Sequence, residues 1–139
     1  YLNGEMVDYD FRSYHDTVNN HIGFVYNKKF IDQGYNNLLQ FTFLPLKEGT
    51  YINHRTRELY LGAFTTFSQL YFEQSGWEYE LLDPESGFFE ISTIDKNEQV
   101  VQGKFRVRYR LKDKHGFRDT GLPKDILFEG IFHDNYIRN

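Results

Sequence analysis

The sequence has no cysteine, a single methionine, a single tryptophan and only three prolines in 139 residues. Without cysteine, a disulfide framework, a thiolate zinc site and a cysteine nucleophile are all excluded. No apolar run approaches the ~20 residues that a membrane-spanning helix requires. The net charge of -4 argues against a general nucleic-acid binder, so we expect no nucleic-acid partner.

Alanine is scarce, whereas strand-forming aromatic residues are abundant. Alanine, the best helix former, occurs only at Ala63, while aromatic residues make up 19% of the chain. Aromatic and β-branched side chains favour pleated surfaces. Because domains of roughly 100–150 residues are the commonest size, the composition predicts a single all-β domain over residues 1–139.

Turn signals divide the chain into short segments. Lys47-Glu-Gly49 and Asp95-Lys-Asn-Glu98 are two of them, and Asp83-Pro-Glu-Ser-Gly87 predicts a hairpin turn. Short strands at this spacing are typical of an antiparallel β-sandwich, and we predict about nine strands. A calycin-like β-barrel satisfies the same alternation and is the alternative fold. The best candidate for a helix, of one or two turns, is Phe67–Glu73.

The clearest strand pattern lies in the last third of the chain. From Val101 to Lys112, apolar or small residues alternate with polar and mostly basic ones, which predicts a strand with one buried face. A polar loop over 112–124 leads to a second alternating strand at 125–133. The predicted core positions of that second strand are Ile126, Phe128, Gly130 and Phe132.

Two Gly-x-Phe motifs predict how these two strands pair. A glycine leaves a gap in the face of a strand, and an aromatic ring on the partner strand can cover it. Placing Phe105 opposite Gly130 also places Phe132 opposite Gly103. The same register puts opposite charges face to face, which is mildly stabilising; the pairs are Arg106 with Glu129 and Arg110 with Asp125.

Several segments carry a family resemblance. They are Gly87-Phe-Phe-Glu-Ile-Ser-Thr-Ile-Asp95, Val101-Gln-Gly-Lys-Phe105, Ile126-Leu-Phe-Glu-Gly-Ile-Phe132, Leu2-Asn-Gly4 and Glu48-Gly-Thr-Tyr51. Together they resemble small β-sandwich lipoproteins, domains of unknown function from Gram-negative gut bacteria. The charged loop over 112–124 and the arginine-rich strand depart from the family pattern.

The resemblance has implications for location. It implies an exported protein, in the periplasm or at the outer-membrane or cell surface, whose only membrane attachment is a lipid anchor on a cysteine upstream of Tyr1. The sequence starts at Tyr1 without an initiating methionine or a signal segment, so we expect a processed or trimmed chain. The resemblance implies no catalytic residues.

Basic residues concentrate on the outward positions of the predicted strand. Residues 99–114 contain six of the 16 Lys and Arg residues and one of the 20 acidic residues, a net charge of +5. Since an arginine can bind two oxygens of one anion, we predict a surface for an anionic polysaccharide or another anionic surface component. The competing interpretation is a solvated face whose charges pair with neighbouring acids. The candidate residues are Lys104, Arg106, Arg108 and Arg110.

Tyrosine and tryptophan side chains offer another candidate surface, because they can stack on sugar rings. Most of them occupy alternating positions, where packing in the core is the ordinary outcome. The five histidines lack metal-ligand spacing, so we predict no metal site and no cofactor. The aromatic candidates are Tyr1, Tyr9, Tyr14, Tyr35, Tyr60, Tyr71, Trp77, Tyr79 and Tyr136.

No motif indicates catalysis, since the sequence has neither a Gly-x-Ser-x-Gly elbow nor a phosphate-binding loop. We therefore predict a non-catalytic, exported binding or structural module, with an anionic glycan as the expected ligand. The alternative is a barrel-type carrier of a small apolar ligand, which requires a closed sheet around a pocket of at least ~300 Å³. A hydrolase is a third hypothesis and requires ionisable groups that converge in a cleft.

Overall fold

The computed structural model describes residues 1–18, 20–30, 35–54, 62–71, 74–82, 87–113 and 123–138. These residues form nine strands of six to fourteen residues and a tenth of two residues. The strands are β1 (Asp10–Asp16), β2 (His21–Phe30), β3 (Tyr35–Pro45), β4 (Gly49–His54), β5 (Gly62–Tyr71), β6 (Gln74–Leu82), β7 (Phe88–Asp95), β8 (Val100–Asp113), β9 (Asp125–Asn135) and β10 (Ile137–Arg138).

The strands are arranged in two layers. One layer has the order β10-β1-β2-β3-β5, and the other is built on β8, with β9 along one edge and β6 and β7 along the other. β4 pairs with β7 and also, in parallel, with β5, while β6 pairs with β5 as well. Hydrogen bonding therefore continues from one layer into the other. All pairings between the described strands are antiparallel except β4 with β5 and β1 with β10.

Aromatic side chains fill the space between the layers. Phe24 in β2 and Phe41 in β3 both contact Phe89 in β7, with ring centroids 4.9 and 4.7 Å apart. Phe24 also lies 4.7 Å from Phe132, and Phe41 lies 4.9 Å from Phe105. Tilted aromatic pairs contribute about 0.5–1.5 kcal/mol each beyond the area they bury. The predicted all-β sandwich with an aromatic core is confirmed.

The barrel alternative requires a backbone ladder between β1 and β9, and the strands that the structure describes form none there. A side chain makes the contact instead. The carboxylate Oδ2 of Asp134 accepts hydrogen bonds from the backbone N–H of Ser13 at 3.2 Å and from its hydroxyl at 2.9 Å. We call this junction between β1 and β9 the seam. The sheets thus pack as a sandwich that is not closed into a barrel.

β8 and β9 pair in the predicted register, with Phe105 opposite Gly130 and Phe132 opposite Gly103. A Cβ at Gly130 would lie 2.6 Å from the ring of Phe105, and one at Gly103 would lie 2.6 Å from the ring of Phe132. Each ring therefore occupies the space of the missing side chain. At Gly103 a Cβ would also collide with the backbone carbonyl oxygen of Glu90 in β7.

Two local predictions are wrong. Residues 62–71 form β5 rather than part of a helix over Phe67–Glu73, because Phe67 is buried opposite Leu39 in the ladder with β3. Residues 72–73 lie outside the described residues. The pairing of β6 with β7 that a hairpin at 83–87 predicts is also wrong, since the described residues of β6 and β7 pair one after the other along the same edge of β8. Residues 83–86 of the predicted turn lie outside the described residues.

The turn after β7 is as predicted, because the carboxylate of Asp95 accepts hydrogen bonds from the N–H groups of Asn97 and Glu98, both at 3.0 Å. Asp95 thus forms the side-chain-to-backbone hydrogen bonds that are typical of aspartate in a turn.

The loop predicted over 112–124 falls mostly outside the described residues, and β8 continues to Asp113.

The N-terminal segment, residues 1–5, covers part of the outer edge of β9. The N–H of Glu129 donates to the carbonyl of Tyr1 at 3.0 Å, and the nitrogen of Tyr1 donates to the carbonyl of Glu129 at 2.7 Å. Asn3 binds Leu127 twice, because its N–H donates to the Leu127 carbonyl at 2.8 Å and its Oδ1 accepts from the Leu127 N–H at 2.6 Å. These bonds protect an edge that would otherwise be open to other chains.

Substituting alanine for each of the two glycines, with and without the phenylalanine that faces it, tests the register of β8 and β9. We expect Gly130→Ala and Gly103→Ala each to lower the free energy of unfolding by about 1–3 kcal/mol, the usual cost of overpacking. Adding Phe105→Leu should recover part of the loss at Gly130, where that ring alone opposes the new methyl group. Adding Phe132→Leu should not rescue Gly103→Ala, because the carbonyl of Glu90 remains.

Equilibrium urea denaturation of the single and double variants measures this coupling. Additive losses for Gly130→Ala and Phe105→Leu would contradict the contact between them.

Candidate functional site: the cationic face of β8

The outward positions of β8 bring the predicted binding residues together. Alternation buries Val101, Phe105, Val107 and Tyr109 in the core and exposes the residues between them. Successive outward side chains are about 7 Å apart along the strand, which fixes their spacing. We call the exposed surface the cationic face; it consists of Lys104, Arg106, Arg108, Arg110 and Lys112.

Three of the four predicted binding residues form ion pairs with adjacent strands. The two pairs with β9 are those that the register predicts. All three pairs lie at the surface, exposed or partly exposed, and such pairs contribute about 0–1 kcal/mol each to stability. Their N–O distances are 3.6 Å for Lys104–Glu90, 2.9 Å for Arg106–Glu129 and 3.0 Å for Arg110–Asp125.

Arg108 has a different environment. It lies opposite Leu82 in β6 and opposite Leu127 in β9, so neither cross-strand neighbour is charged. Within the described part of the chain, no carboxylate lies within ion-pair distance of its guanidinium group. Arg108 is exposed and therefore presents an unneutralised, planar hydrogen-bond donor between two apolar side chains.

A surface cavity of about 430 Å³ lies beside Arg108. Its walls include Arg110, Asp125, Asn3 and the two leucines that flank Arg108. The Nδ2 of Asn3 donates to the carbonyl of Asp125 at 3.2 Å, so the N-terminal segment holds one wall in place. The cavity thus combines the guanidinium of Arg108 with two leucine side chains and the Arg110–Asp125 ion pair. A guanidinium beside apolar side chains suits a ring that bears a carboxylate.

The described aromatic candidates contribute mainly to the core and its margins. Tyr79 and Tyr136 are buried, with 8% and 2% of their surface exposed, and Tyr9 packs against the core. Tyr14 is half-buried in β1, in contact with Gly23, whereas Tyr1 is 54% exposed. The side chains of Tyr35, Tyr60, Tyr71 and Trp77 lie outside the described residues.

The seam holds a polar cluster that the sequence did not indicate. Ser13 and His15 are both buried, and the Nε2 of His15 lies 3.0 Å from the Oδ1 of Asn20. The ring of His15 packs edge-on against Tyr136, with centroids 5.8 Å apart. This is not a catalytic triad, because the serine hydroxyl is bonded to Asp134 rather than to the imidazole. The Ser-x-His spacing is visible in the sequence, but Asp134 is 121 residues from Ser13.

Buried tyrosines remain neutral over the ordinary pH range. Burial raises the pKa of Tyr109, although a hydrogen bond to Thr65 partly opposes this shift. Burial raises the pKa of Tyr79 to about 12, and its hydroxyl donates to the carbonyl of Pro123 at 3.0 Å. Burial and the charge of Asp134 raise the pKa of Tyr26. These hydroxyls therefore keep their protons.

Two further features bear on function. Among the residues that the structure describes, no three His, Asp or Glu side chains are grouped so that they could hold a metal ion. The same residues contain no helix that is long and apolar enough to cross a membrane.

Comparison of the chain with protein-family models, curated proteins and solved structures finds no match. The resemblance to β-sandwich lipoproteins therefore stays a prediction, as do the export and the lipid anchor that it implies. A function for the chain is therefore inferred from the geometry of the cationic face.

Ser13→Ala tests the bond across the seam. We expect it to lower the free energy of unfolding by about 1–2 kcal/mol, because the hydroxyl bonds to a carboxylate at a buried position. Ser92→Ala is the matched control, since the Ser92 hydroxyl donates to the carbonyl of Gln102 at 3.1 Å at an exposed position. Its effect should stay within about 0.5 kcal/mol. Equal losses in urea denaturation would show that the seam does not depend on this bond.

Proposed function

We propose that the domain is a non-catalytic binding module that holds an anionic polysaccharide on its cationic face, with Arg108 as the principal contact. The observation that carries this proposal is the contrast between Arg108 and its neighbours. Arg108 is exposed without an acidic partner in the described residues, whereas the cations on either side are ion-paired.

The shape of the cationic face favours a linear polyanion over a small anion. From Lys104 to Lys112 the row of outward cations extends about 27 Å along β8. A linear chain can contact several of these cations at once, so weak individual contacts add up to useful affinity. Leu82 and Leu127 would pack against the C–H faces of a sugar ring whose carboxylate binds the Arg108 guanidinium.

The uneven distribution of charge along the chain also favours binding of a polyanion at the cationic face. The whole chain carries -4, whereas residues 99–114 carry six of its 16 basic residues and only one acid. A polyanion would therefore be repelled by most of the surface and attracted to β8. Screening by salt should weaken such binding, since the cations are exposed.

The carrier alternative has less support. It requires a closed sheet around a large internal pocket, but the described strands do not close into a barrel. The apolar pocket beside Phe105 and Phe128 has a volume of about 190 Å³, less than the ~300 Å³ expected for such a carrier.

Calorimetric titration with polygalacturonate, a carboxylated polysaccharide, tests the proposal, with neutral dextran as the control ligand. We expect Arg108→Ala to weaken polygalacturonate binding about tenfold, because a charge-assisted hydrogen bond contributes about 1.5–3 kcal/mol. Arg108→Lys should bind with intermediate affinity, since lysine keeps the charge but loses the planar fork. Lys96→Ala, which removes the same charge from the exposed turn after β7, should bind like the wild type.

Two results would overturn the proposal. One is an absence of polygalacturonate binding by the wild-type protein, and the other is equal loss of affinity in the Arg108→Ala and Lys96→Ala variants. Equal binding of dextran and polygalacturonate would also contradict the proposal, because recognition would then not depend on the charge of the polysaccharide.

Glu129→Gln should strengthen the same interaction. The change releases Arg106 from its ion pair, so we expect polygalacturonate affinity to rise several-fold while stability falls by less than about 1 kcal/mol. Glu98→Gln removes the same charge at an exposed turn position and is the control. If Glu98→Gln raises the affinity as much as Glu129→Gln does, the gain reflects net charge alone.

A further inference from the structure

The side chains on either side of β8 divide the cationic face into rows that differ in charge. Residues directly opposite each other in a sheet share a face, so an outward cation of β8 forms a row with one residue of β9 and one of β6 or β7. Successive rows are about 7 Å apart along the strand. A ligand on this face therefore meets the charge of a whole row rather than that of a single side chain.

The rows of Arg108 and Arg110 have opposite charge. The two neighbours of Arg108 are leucines, so its row carries one positive charge. Arg110 lies between Asp125, which is 3.0 Å away, and the exposed Glu80, so the three residues of its row carry one negative charge. A second carboxylate of a ligand would be repelled from the Arg110 row.

The row on the other side of Arg108 is uncharged and contains an aromatic ring. In it, Arg106 lies between Glu129 and Phe88. Two nitrogens of Arg106 lie 2.9 and 3.2 Å from one carboxylate oxygen of Glu129, so the cation is already compensated. Phe88 is partly exposed on the same face, since the next residue, Phe89, is buried in the core. This row offers a ligand apolar ring surface without net charge.

The sequence pattern does not single out Phe88 as an aromatic contact. The Nζ of Lys104 lies 5.8 Å from the centroid of its ring. Lys104 is also 3.6 Å from Glu90, so the cation beyond Phe88 is compensated as well. A partly exposed ring in such surroundings is suited to the C–H surface of an uncharged sugar, because contact removes apolar area on both sides from water.

We infer that the cationic face selects a polysaccharide in which single carboxylated sugars alternate with uncharged sugars. The carboxylate binds Arg108, one uncharged neighbour packs on Phe88, and the other lies in the negative row of Arg110. A polymer with a charge on every sugar would place additional anions beside Glu129 and Asp125. This inference rests on the proposed function, because it concerns the order of charges along the same ligand.

Chondroitin and its sulfated form test the inference, because they share one backbone. In chondroitin a carboxylated sugar alternates with an uncharged amino sugar, whereas chondroitin sulfate carries a sulfate on the amino sugar as well. We expect calorimetric titration to show that chondroitin binds about two- to fivefold more tightly with about half the charge, because the sulfate would meet a compensated or negative row. Attraction by net charge alone would give the opposite order.

Glu129→Gln should remove this preference. The change frees Arg106 to bind a sulfate in the Phe88 row, so we expect the affinity for chondroitin sulfate to rise several-fold more than that for chondroitin. Glu98→Gln is the matched control, because it removes the same charge at an exposed turn position and should keep the preference for chondroitin.

Phe88→Ala tests the aromatic contact separately from the charge pattern. We expect it to weaken chondroitin binding about threefold, since the ring surface for the uncharged sugar is lost. Phe88→Tyr should restore the binding, because it keeps the ring. Cooperative unfolding of both variants in urea shows that a loss of affinity is not a loss of the fold.

The inference would be overturned if chondroitin sulfate binds the wild type as tightly as chondroitin or more tightly. It would also be overturned if Glu98→Gln removes the preference as Glu129→Gln does, or if Phe88→Ala binds chondroitin like the wild type. In each case, polygalacturonate binding that depends on Arg108 would leave the proposed function standing. An absence of binding of polygalacturonate and of both chondroitins would overturn the proposed function as well.

Discussion

The close contact between two glycines and two phenylalanines holds β8 and β9 in one register, and the rest of the outer surface depends on it. The ring of Phe105 lies over Gly130, and that of Phe132 lies over Gly103. Because side chains alternate between faces with a period of two, a slip of one residue would turn the basic residues of β8 into the core. The same register brings Arg106 and Arg110 to their carboxylate partners on β9.

The sequence was informative where both partner strands carry matching glycine, phenylalanine and charge positions. β8 and β9 are neighbouring segments with clear alternation, so their pairing could be predicted from glycine, phenylalanine and charge positions. Phe67 shows the opposite case, because its burial opposite Leu39 depends on a tertiary pairing that no matching motif in β3 and β5 indicates, and this pairing overrides the local helical spacing. The bond between Ser13 and Asp134 joins residues 121 positions apart, and no pattern within either segment indicates it.

The special position of Arg108 illustrates how far the candidate site could be predicted. Alternation placed four cations on one face but gave no reason to distinguish them. The register with β9 supplies Leu127 as one neighbour. The other neighbour, Leu82, could not be predicted, because a hairpin at 83–87 would have paired β6 with β7 instead of aligning both strands along β8. Among the residues that the structure describes, the absence of a carboxylate beside Arg108 is therefore a consequence of tertiary pairing.

The two faces of β9 have opposite character through the same period-two geometry that organises the core. Its odd-numbered residues Asp125 and Leu127 face outward and line the cavity beside Arg108. On its inner face, Phe128 belongs to the core. The N-terminal segment, bound to the edge of β9, contributes Asn3 to the cavity beside Arg108. The register that buries Phe128 therefore also fixes the position of the side chains that border the proposed ligand, because both sets belong to one strand.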